Sequence, residues 1–183
     1  MRPRVLVAGV GNVLLGDDGF AAEVIHRLED MVLPSWVQIA DFGIGGGRVT
    51  TDLLGGYDTT ILIDATRHGR RPAEVYVLAA ELGEYPSALP TLLDSHGIRP
   101  EAALRLLQVV GGDAGEVLVV GCEPVRTRGL GLSEPVAAAV DEAVRIVTDL
   151  VWGTEAARPL PSVYSGPSVQ PESPRQLEPV RGE

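Results

Sequence analysis

Short apolar runs rich in β-branched residues recur along this chain, and they constrain its fold more than any other feature. The runs at 5–8, 60–63 and 117–120 are almost wholly apolar, as expected for strands that are buried on both faces by helices. Two further runs, at 37–40 and 75–78, are also predicted to be strands. The sequence therefore predicts five strands, at least three of them in the interior of a sheet.

Helical patterns lie between these strands. In the first helix the apolar residues recur at helical spacing and form one buried face: Phe20, Val24, Ile25 and Leu28. Further helices are predicted at about 49–54, beyond Pro100 and from 133 to 152. In the last of these, Ser133 is expected to cap the helix, with Pro135 tolerated in the first turn.

Strands that alternate with helices indicate an α/β fold. We expect a three-layer α/β/α sandwich with a mixed, mostly parallel five-stranded sheet. The segment 67–72 is too short and polar for a crossover helix. The strand at 75–78 is therefore predicted to run antiparallel or to lie at an edge.

Length, composition and net charge limit the class of protein to which this chain can belong. The length is suited to one domain, predicted at 1–153, whereas the proline-rich and serine-rich stretch 154–183 is predicted to be a disordered tail. The formal net charge of -10 disfavours nucleic acid as a partner. The single cysteine fits a reducing compartment, and neither an export signal nor a membrane-spanning run is visible. We expect a cytoplasmic monomer without membrane contact.

Candidate functional residues follow the predicted strands, because sites in open α/β sheets form beyond the carboxyl ends of the strands. Asp18, Asp64 and His96 come from three separate segments that should meet at this edge. Singly, each has an ordinary structural interpretation as a helix cap, a turn anchor or a loop histidine. Together, two carboxylates and one imidazole form a set suited to zinc or nickel with positions open for substrate.

Two other chemistries stay open at this point. Cys122 is a candidate thiolate nucleophile activated by His96, although a free cysteine in an apolar strand is most often a small buried hydrophobe. Gly9 and Gly11 suggest a non-hydrolytic nucleotide-binding module, with Asp41 placed to bind a ribose. The third glycine of that motif is replaced by Leu14.

Several motifs taken together resemble the hydrogenase maturation endopeptidases over about residues 4–152. They are "GVGNVLLGDDGFAAEVI", "DFGIGG", "ILIDA", "SHG" and "VVGCEP" followed by "GLS". The resemblance implies a phosphorylase/hydrolase-like fold with a twisted mixed five-stranded sheet between helices. It also implies an endopeptidase, also classed as aspartic-type, that removes the C-terminal extension of the nickel-iron hydrogenase large-subunit precursor after nickel insertion.

The same resemblance implies roles for individual residues. The metal-binding and catalytic residues correspond to Asp18, Asp64 and His96, and they would recognise nickel carried by the precursor, with zinc or another divalent ion as the alternative. The first acid is often glutamate in relatives, and aspartate reaches one methylene less. Asp41 and Gly43 match a segment implicated in substrate recognition, although some relatives have Asp-Gly-Gly there. We also hypothesise that Asp17 moves protons during cleavage.

Overall fold

The computed structural model describes residues 3–44, 56–79 and 115–153, together with 93–94 and 97–98 as short strands. Within these ranges the helices are α1 (Phe20–Glu29), preceded by a 3-10 turn at Gly16–Gly19, and α2 (Glu134–Gly153). The strands are β1 (Val5–Gly9), β2 (Val37–Asp41), β3 (Thr59–Asp64), β4 (Val75–Ala79), β5 (Leu93–Asp94), β6 (Gly97–Ile98) and β7 (Glu116–Cys122).

Five of these strands form one mixed sheet in the order β2-β1-β3-β7-β4. β1 pairs in parallel with β2 and β3, and β3 pairs in parallel with β7. β4 lies at the edge and runs antiparallel to β7, from Val75 opposite Cys122 to Ala79 opposite Leu118. The five predicted strands are confirmed. The strand at 75–78, predicted to be antiparallel or at an edge, is both, because the short connection at 67–72 cannot carry the chain back for a parallel pairing.

The apolar strands separate two clusters of buried side chains. One cluster joins alternate residues of β1, β3 and β7 to the buried faces of α1 and α2, including Phe20 and Val140. The second lies on the other face of the sheet and includes Leu6 and Leu62. Side chains alternate between the two faces along each strand, so a strand buried on both sides must be apolar throughout.

The predicted last helix is confirmed as α2, and the α/β fold with a mixed, mostly parallel sheet is confirmed as well. The helices predicted at 49–54 and beyond Pro100 lie outside the described residues. The predicted tail at 154–183 also lies outside them, so the boundary of the domain at 153 stays a prediction. Neither α1 nor α2, the two described α-helices, is long and apolar enough to cross a membrane.

A small antiparallel ladder was not expected from the sequence. Leu93 pairs with Ile98, and Asp94 pairs with Gly97. These residues belong to the "LDSHGI" segment, where no strand was predicted. His96 falls between the paired residues and is itself outside the described part of the chain.

Candidate active site

The loop after β1 folds back on itself and holds Asp18. The main-chain N–H of Asn12 donates to Asp18 Oδ2 at 2.8 Å. A side chain at Gly11 would prevent this arrangement, because an added Cβ would lie 2.1 Å from the carbonyl oxygen of Asp18. The half-buried Asp18 is therefore kept near the end of β1 by a glycine that permits close approach of the backbone.

Asp64 is the last residue of the buried strand β3 and is itself half-buried. The hydroxyl of Thr66 donates a hydrogen bond to Asp64 Oδ2. β1 and β3 are neighbours, and the main-chain N–H of Val10 donates to the carbonyl of Ile63 at 3.0 Å. Asp18 and Asp64 are thus carried by segments that follow adjacent parallel strands at the same edge of the sheet.

The third predicted ligand, His96, is outside the described residues. Across 3–44, 56–79 and 115–153, no three histidine, cysteine, aspartate or glutamate side chains are grouped so that they could hold a metal ion. The two carboxylates supply oxygen donors of the kind that a divalent ion accepts, and a third ligand would have to come from elsewhere. The three-residue metal site therefore stays a prediction.

Asp17, next to Asp18, is completely buried and accepts four hydrogen bonds. Its Oδ2 accepts from the N–H of Val125 at 2.8 Å, the N–H of Arg126 at 2.7 Å and the hydroxyl of Ser133 at 3.0 Å. Its Oδ1 accepts from the N–H of Ser133 at 2.6 Å. The carboxylate therefore ties the turn that carries Asp18 to the loop after β7 and to the start of α2.

The electrostatics of Asp17 fit this structural role. Burial alone would raise its pKa, but the hydrogen bonds from Ser133, Arg126 and Val125 together outweigh it and hold the pKa below its ordinary value. A buried carboxylate that stays ionised and has both oxygens occupied is poorly suited to moving protons. The geometry therefore favours a structural role for Asp17 over the hypothesised role as a proton carrier. We call Asp17 a clamp because it holds three segments of the chain together. Asp17 binds Ser133, the residue directly before α2, although Ser133 is more than a hundred residues away in the chain.

Cys122 is fully buried in the cluster beneath α1 and α2. Burial, with added repulsion from the charges of Asp17, Glu123 and Glu142, raises the pKa of the Cys122 thiol to about 12. The neighbouring residue Gly121 is paired with Asp64, so alternation directs Cys122 to the opposite face of the sheet from Asp64. A protonated thiol in this position does not serve as a nucleophile, which argues against the cysteine hydrolase hypothesis.

Two residues near Asp64 were missed by the sequence analysis. Tyr76 on β4 lies opposite Gly121, and its buried ring covers that glycine so closely that an added Cβ would lie 2.2 Å from Tyr76 Cζ. Its hydroxyl donates to the carbonyl of Thr66 at 3.0 Å. Burial first, and then the negative charges of Asp64 and Glu123, raise the pKa of Tyr76, so the phenol keeps its proton. Tyr76 thereby supports the segment whose Thr66 hydroxyl binds Asp64.

The second missed residue is Glu123, which is buried directly after β7. One of its carboxylate oxygens accepts from the N–H of His68 at 2.8 Å and from the N–H of Arg70 at 3.1 Å. Glu123 therefore fastens the loop after Asp64 to the end of β7. Glu123 could have been found from the sequence, because it is the one charged residue in the otherwise apolar "VVGCEP" segment. A glutamate buried beside a strand needs hydrogen-bond donors.

Asp41 and Gly43 lie beside the Asp18 loop. The exposed Asp41 closes β2, and its Oδ1 accepts from the N–H of Gly43 at 2.9 Å. Gly43 has φ +50°, and its carbonyl accepts from the N–H of Gly11 at 3.0 Å. The segment is thus joined to the loop that carries Asp18, and its role in substrate recognition stays a prediction.

Comparisons with known proteins identify the family. The family model described as "Hydrogenase maturation protease" matches residues 22–150. A Methanocaldococcus jannaschii protein, named provisionally as a hydrogenase maturation protease, is 33% identical over 151 residues, covering 80% of this chain and 95% of its own length. Among solved structures, a hydrogenase 2 maturation peptidase from a Thaumarchaeota archaeon is 31% identical with a TM-score of 0.62, covering 81% of this chain and 97% of that one. An Escherichia coli endopeptidase is 27% identical with a TM-score of 0.70, covering 84% of this chain and 94% of that one.

The fold and these matches define the chain as an α/β endopeptidase. It belongs to the hydrogenase maturation protease family, as the motifs of its sequence indicated. A protease active in hydrogenase maturation therefore replaces the two alternatives considered at first, the cysteine hydrolase and the nucleotide-binding module.

Proposed function

We propose that this endopeptidase removes a C-terminal extension from the large-subunit precursor of a nickel-iron hydrogenase after nickel has been inserted. The family assignment supports the precursor as the substrate. The observation that carries the proposal for the site is the position of Asp18 and Asp64 on segments that follow adjacent strands, at the edge where sites of α/β sheets form.

In this proposal, Asp18, Asp64 and His96 bind the nickel ion of the substrate, and zinc or another divalent ion is the alternative. The N–H of Asn12 orients the Asp18 carboxylate, and the hydroxyl of Thr66 orients that of Asp64. A divalent ion held there supplies Lewis acidity toward the scissile carbonyl or an attacking water. The ligands of this chain fix where the precursor's C-terminal segment lies, which brings one peptide bond to the site.

Asp41 and Gly43 contribute to substrate recognition in this proposal, because their segment is hydrogen-bonded to the Asp18 loop. The aspartic-type classification would apply only in the sense that two aspartates are essential. Both are proposed as metal ligands, and neither is proposed as a nucleophile. We further propose that the enzyme acts in the cytoplasm as a monomer.

The test is incubation with a nickel-loaded precursor, followed by intact-mass measurement. We expect a mass loss equal to one short C-terminal peptide, and no loss from the same precursor prepared without nickel. Asp18→Asn, Asp64→Asn and His96→Ala should each slow processing by about 100-fold or more while leaving a folded protein. Asp149→Asn, an exposed carboxylate near the far end of α2, is the matched control and should process normally. Equal processing without nickel, or by the three site variants, would refute the proposal.

A further inference from the structure

Exposed large apolar side chains fall into two groups within the part of the chain that the structure describes. Five lie on loops at the carboxyl edge of the sheet, and we call them the apolar rim: Val13, Leu14, Ile44, Val125 and Leu130. The others, Met31, Val32 and Trp152, lie at the ends of α1 and α2. Because α1 starts at the carboxyl edge and runs back beside β1, Met31 and Val32 lie at the opposite end of the sheet.

The loops that carry the apolar rim are joined to each other. The N–H of Gly11 donates to the carbonyl of Gly43 at 3.0 Å, which links the loop after β1 to the residue before Ile44. The N–H of Asp17 donates to the carbonyl of Arg126 at 3.0 Å, which links the first loop to the loop after β7. The apolar rim is therefore one connected border beside Asp18.

Single exposed apolar residues are normal in proteins, but a group of them beside a site indicates an interaction surface. Leu14 is 64% exposed and Leu130 is 75% exposed, so neither contributes much to the core. Their side chains gain burial only when another molecule covers them.

The charges around the apolar rim indicate what kind of molecule this is. In the loops 10–19 and 123–133, Arg126 and Arg128 are exposed, Asp17 and Glu123 are buried, and Asp18 is half-buried. Two exposed acids also border the apolar rim, Asp41 beside Ile44 and Glu134 at the start of α2. Exposed positive charge is therefore local to the loop after β7. A partner should present apolar side chains to the rim, with acidic residues only where it faces Arg126 and Arg128.

We propose that the folded body of the precursor docks on the apolar rim, with its own apolar residues against Leu14 and Leu130 and acidic side chains toward Arg128. This inference rests on the proposed function. An endopeptidase acts on a polypeptide, and Asp18 lies on the same loop as Val13 and Leu14, so a polypeptide bound at Asp18 lies next to the apolar rim. The apolar rim thus holds the precursor while the residues at the sheet edge act on its C-terminal segment.

The test measures the Kd of the nickel-loaded precursor by biolayer interferometry and its processing by intact mass. The double variant Leu14→Ser/Leu130→Ser should weaken binding by at least about tenfold. Leu14→Met/Leu130→Met should restore it, and Arg128→Glu should weaken it most at low salt. Val32→Ser is the matched control, because Val32 is 96% exposed and lies at the far end of the sheet. It should bind as the wild type does.

Each outcome separates the docking surface from the proposed function. If the wild type processes the precursor and the double variant, with an unchanged melting temperature, has the wild-type Kd, the docking proposal is wrong and the function stands. If the precursor binds through Leu14 and Leu130 but is not shortened, the function is wrong and the docking surface stands. If the precursor does not bind, both are wrong. If the double variant abolishes self-association in sedimentation velocity without changing precursor binding, the occupant is a second copy of this chain, which also overturns the proposal.

Discussion

The buried carboxylate of Asp17 offers the sharpest test of how this site is held together, and the substitution to make is Asp17→Asn. Asparagine has the same shape but only one acceptor atom. If its amide nitrogen takes the place of Oδ2, it faces the N–H groups of Val125 and Arg126; if it takes the place of Oδ1, it faces the N–H of Ser133. In either orientation at least one donor meets another donor.

The orientation with the amide nitrogen in place of Oδ1 is the less costly, because only the N–H of Ser133 then faces a donor. This orientation sets the expected loss of stability. A hydrogen bond to a charged acceptor contributes about 1.5–3 kcal/mol, and the bonds that survive are weaker once the acceptor is neutral. We therefore expect Asp17→Asn to lower the free energy of unfolding by about 3 kcal/mol. For a chain of this size that corresponds to a melting temperature lower by about 6–12 °C, and the variant should still fold.

The pH dependence of stability gives a second arm of the same experiment. Asp17 has a folded-state pKa below its ordinary value, so its contribution is complete above the unfolded-state pKa, which is about 4. The contribution is lost as the pH falls through the folded-state pKa. Between pH 7 and pH 3 the difference in stability between wild type and Asp17→Asn should therefore shrink toward acid pH.

Urea unfolding followed by circular dichroism measures these differences. Ser133→Ala is a graded comparison, because it removes only the hydroxyl hydrogen bond and should cost about 1 kcal/mol. Asp149→Asn is the surface control and should change stability by less than about 0.5 kcal/mol. A loss for Asp17→Asn no larger than that of Asp149→Asn, or a difference independent of pH, would show that the clamp does not stabilise the fold.

Three further substitutions test other contacts around the site. Gly121→Ala should destabilise the protein by about 1–3 kcal/mol in thermal unfolding, because the ring of Tyr76 occupies the space for the new methyl group; wild-type stability would disprove that packing. Cys122→Ala should keep precursor processing, and the wild-type thiol should resist iodoacetamide at pH 8 in the folded state because burial raises its pKa; rapid alkylation without unfolding would contradict this. Glu123→Gln should lower the free energy of unfolding in urea by about 1–3 kcal/mol, because it weakens the hydrogen bonds from the N–H groups of His68 and Arg70. An unchanged urea midpoint would show that Glu123 does not hold the loop after Asp64.

Much of the sheet could be predicted because the signal for a buried strand is local. The runs that became β1, β3 and β7 are apolar at successive positions, which is what burial on both faces requires. The short connection before Val75 predicted a strand that is antiparallel or at an edge, and β4 is both. The positions of Asp18 and Asp64 at one edge followed from the parallel order of the strands that precede them.

The partners of individual polar groups could not be predicted in this way. Glu123 and Tyr76 were missed because their roles depend on loops that meet only in the folded chain, namely the loop after Asp64 and the backbone of Gly121. The short ladder between β5 and β6 was missed because two-residue strands carry too little pattern to distinguish them from a loop.

The sequence by itself determined the strands, their mostly parallel order and the edge at which the acidic residues emerge, since periodicity and connection length are properties of consecutive residues. Only the tertiary structure decided that Asp17 is a clamp, that Cys122 points into the core beneath the helices, and that Tyr76 supports the segment after Asp64. The physical reason is that a buried polar group is defined by the donors and acceptors around it. For Asp17 those donors lie 108 to 116 residues away in the chain.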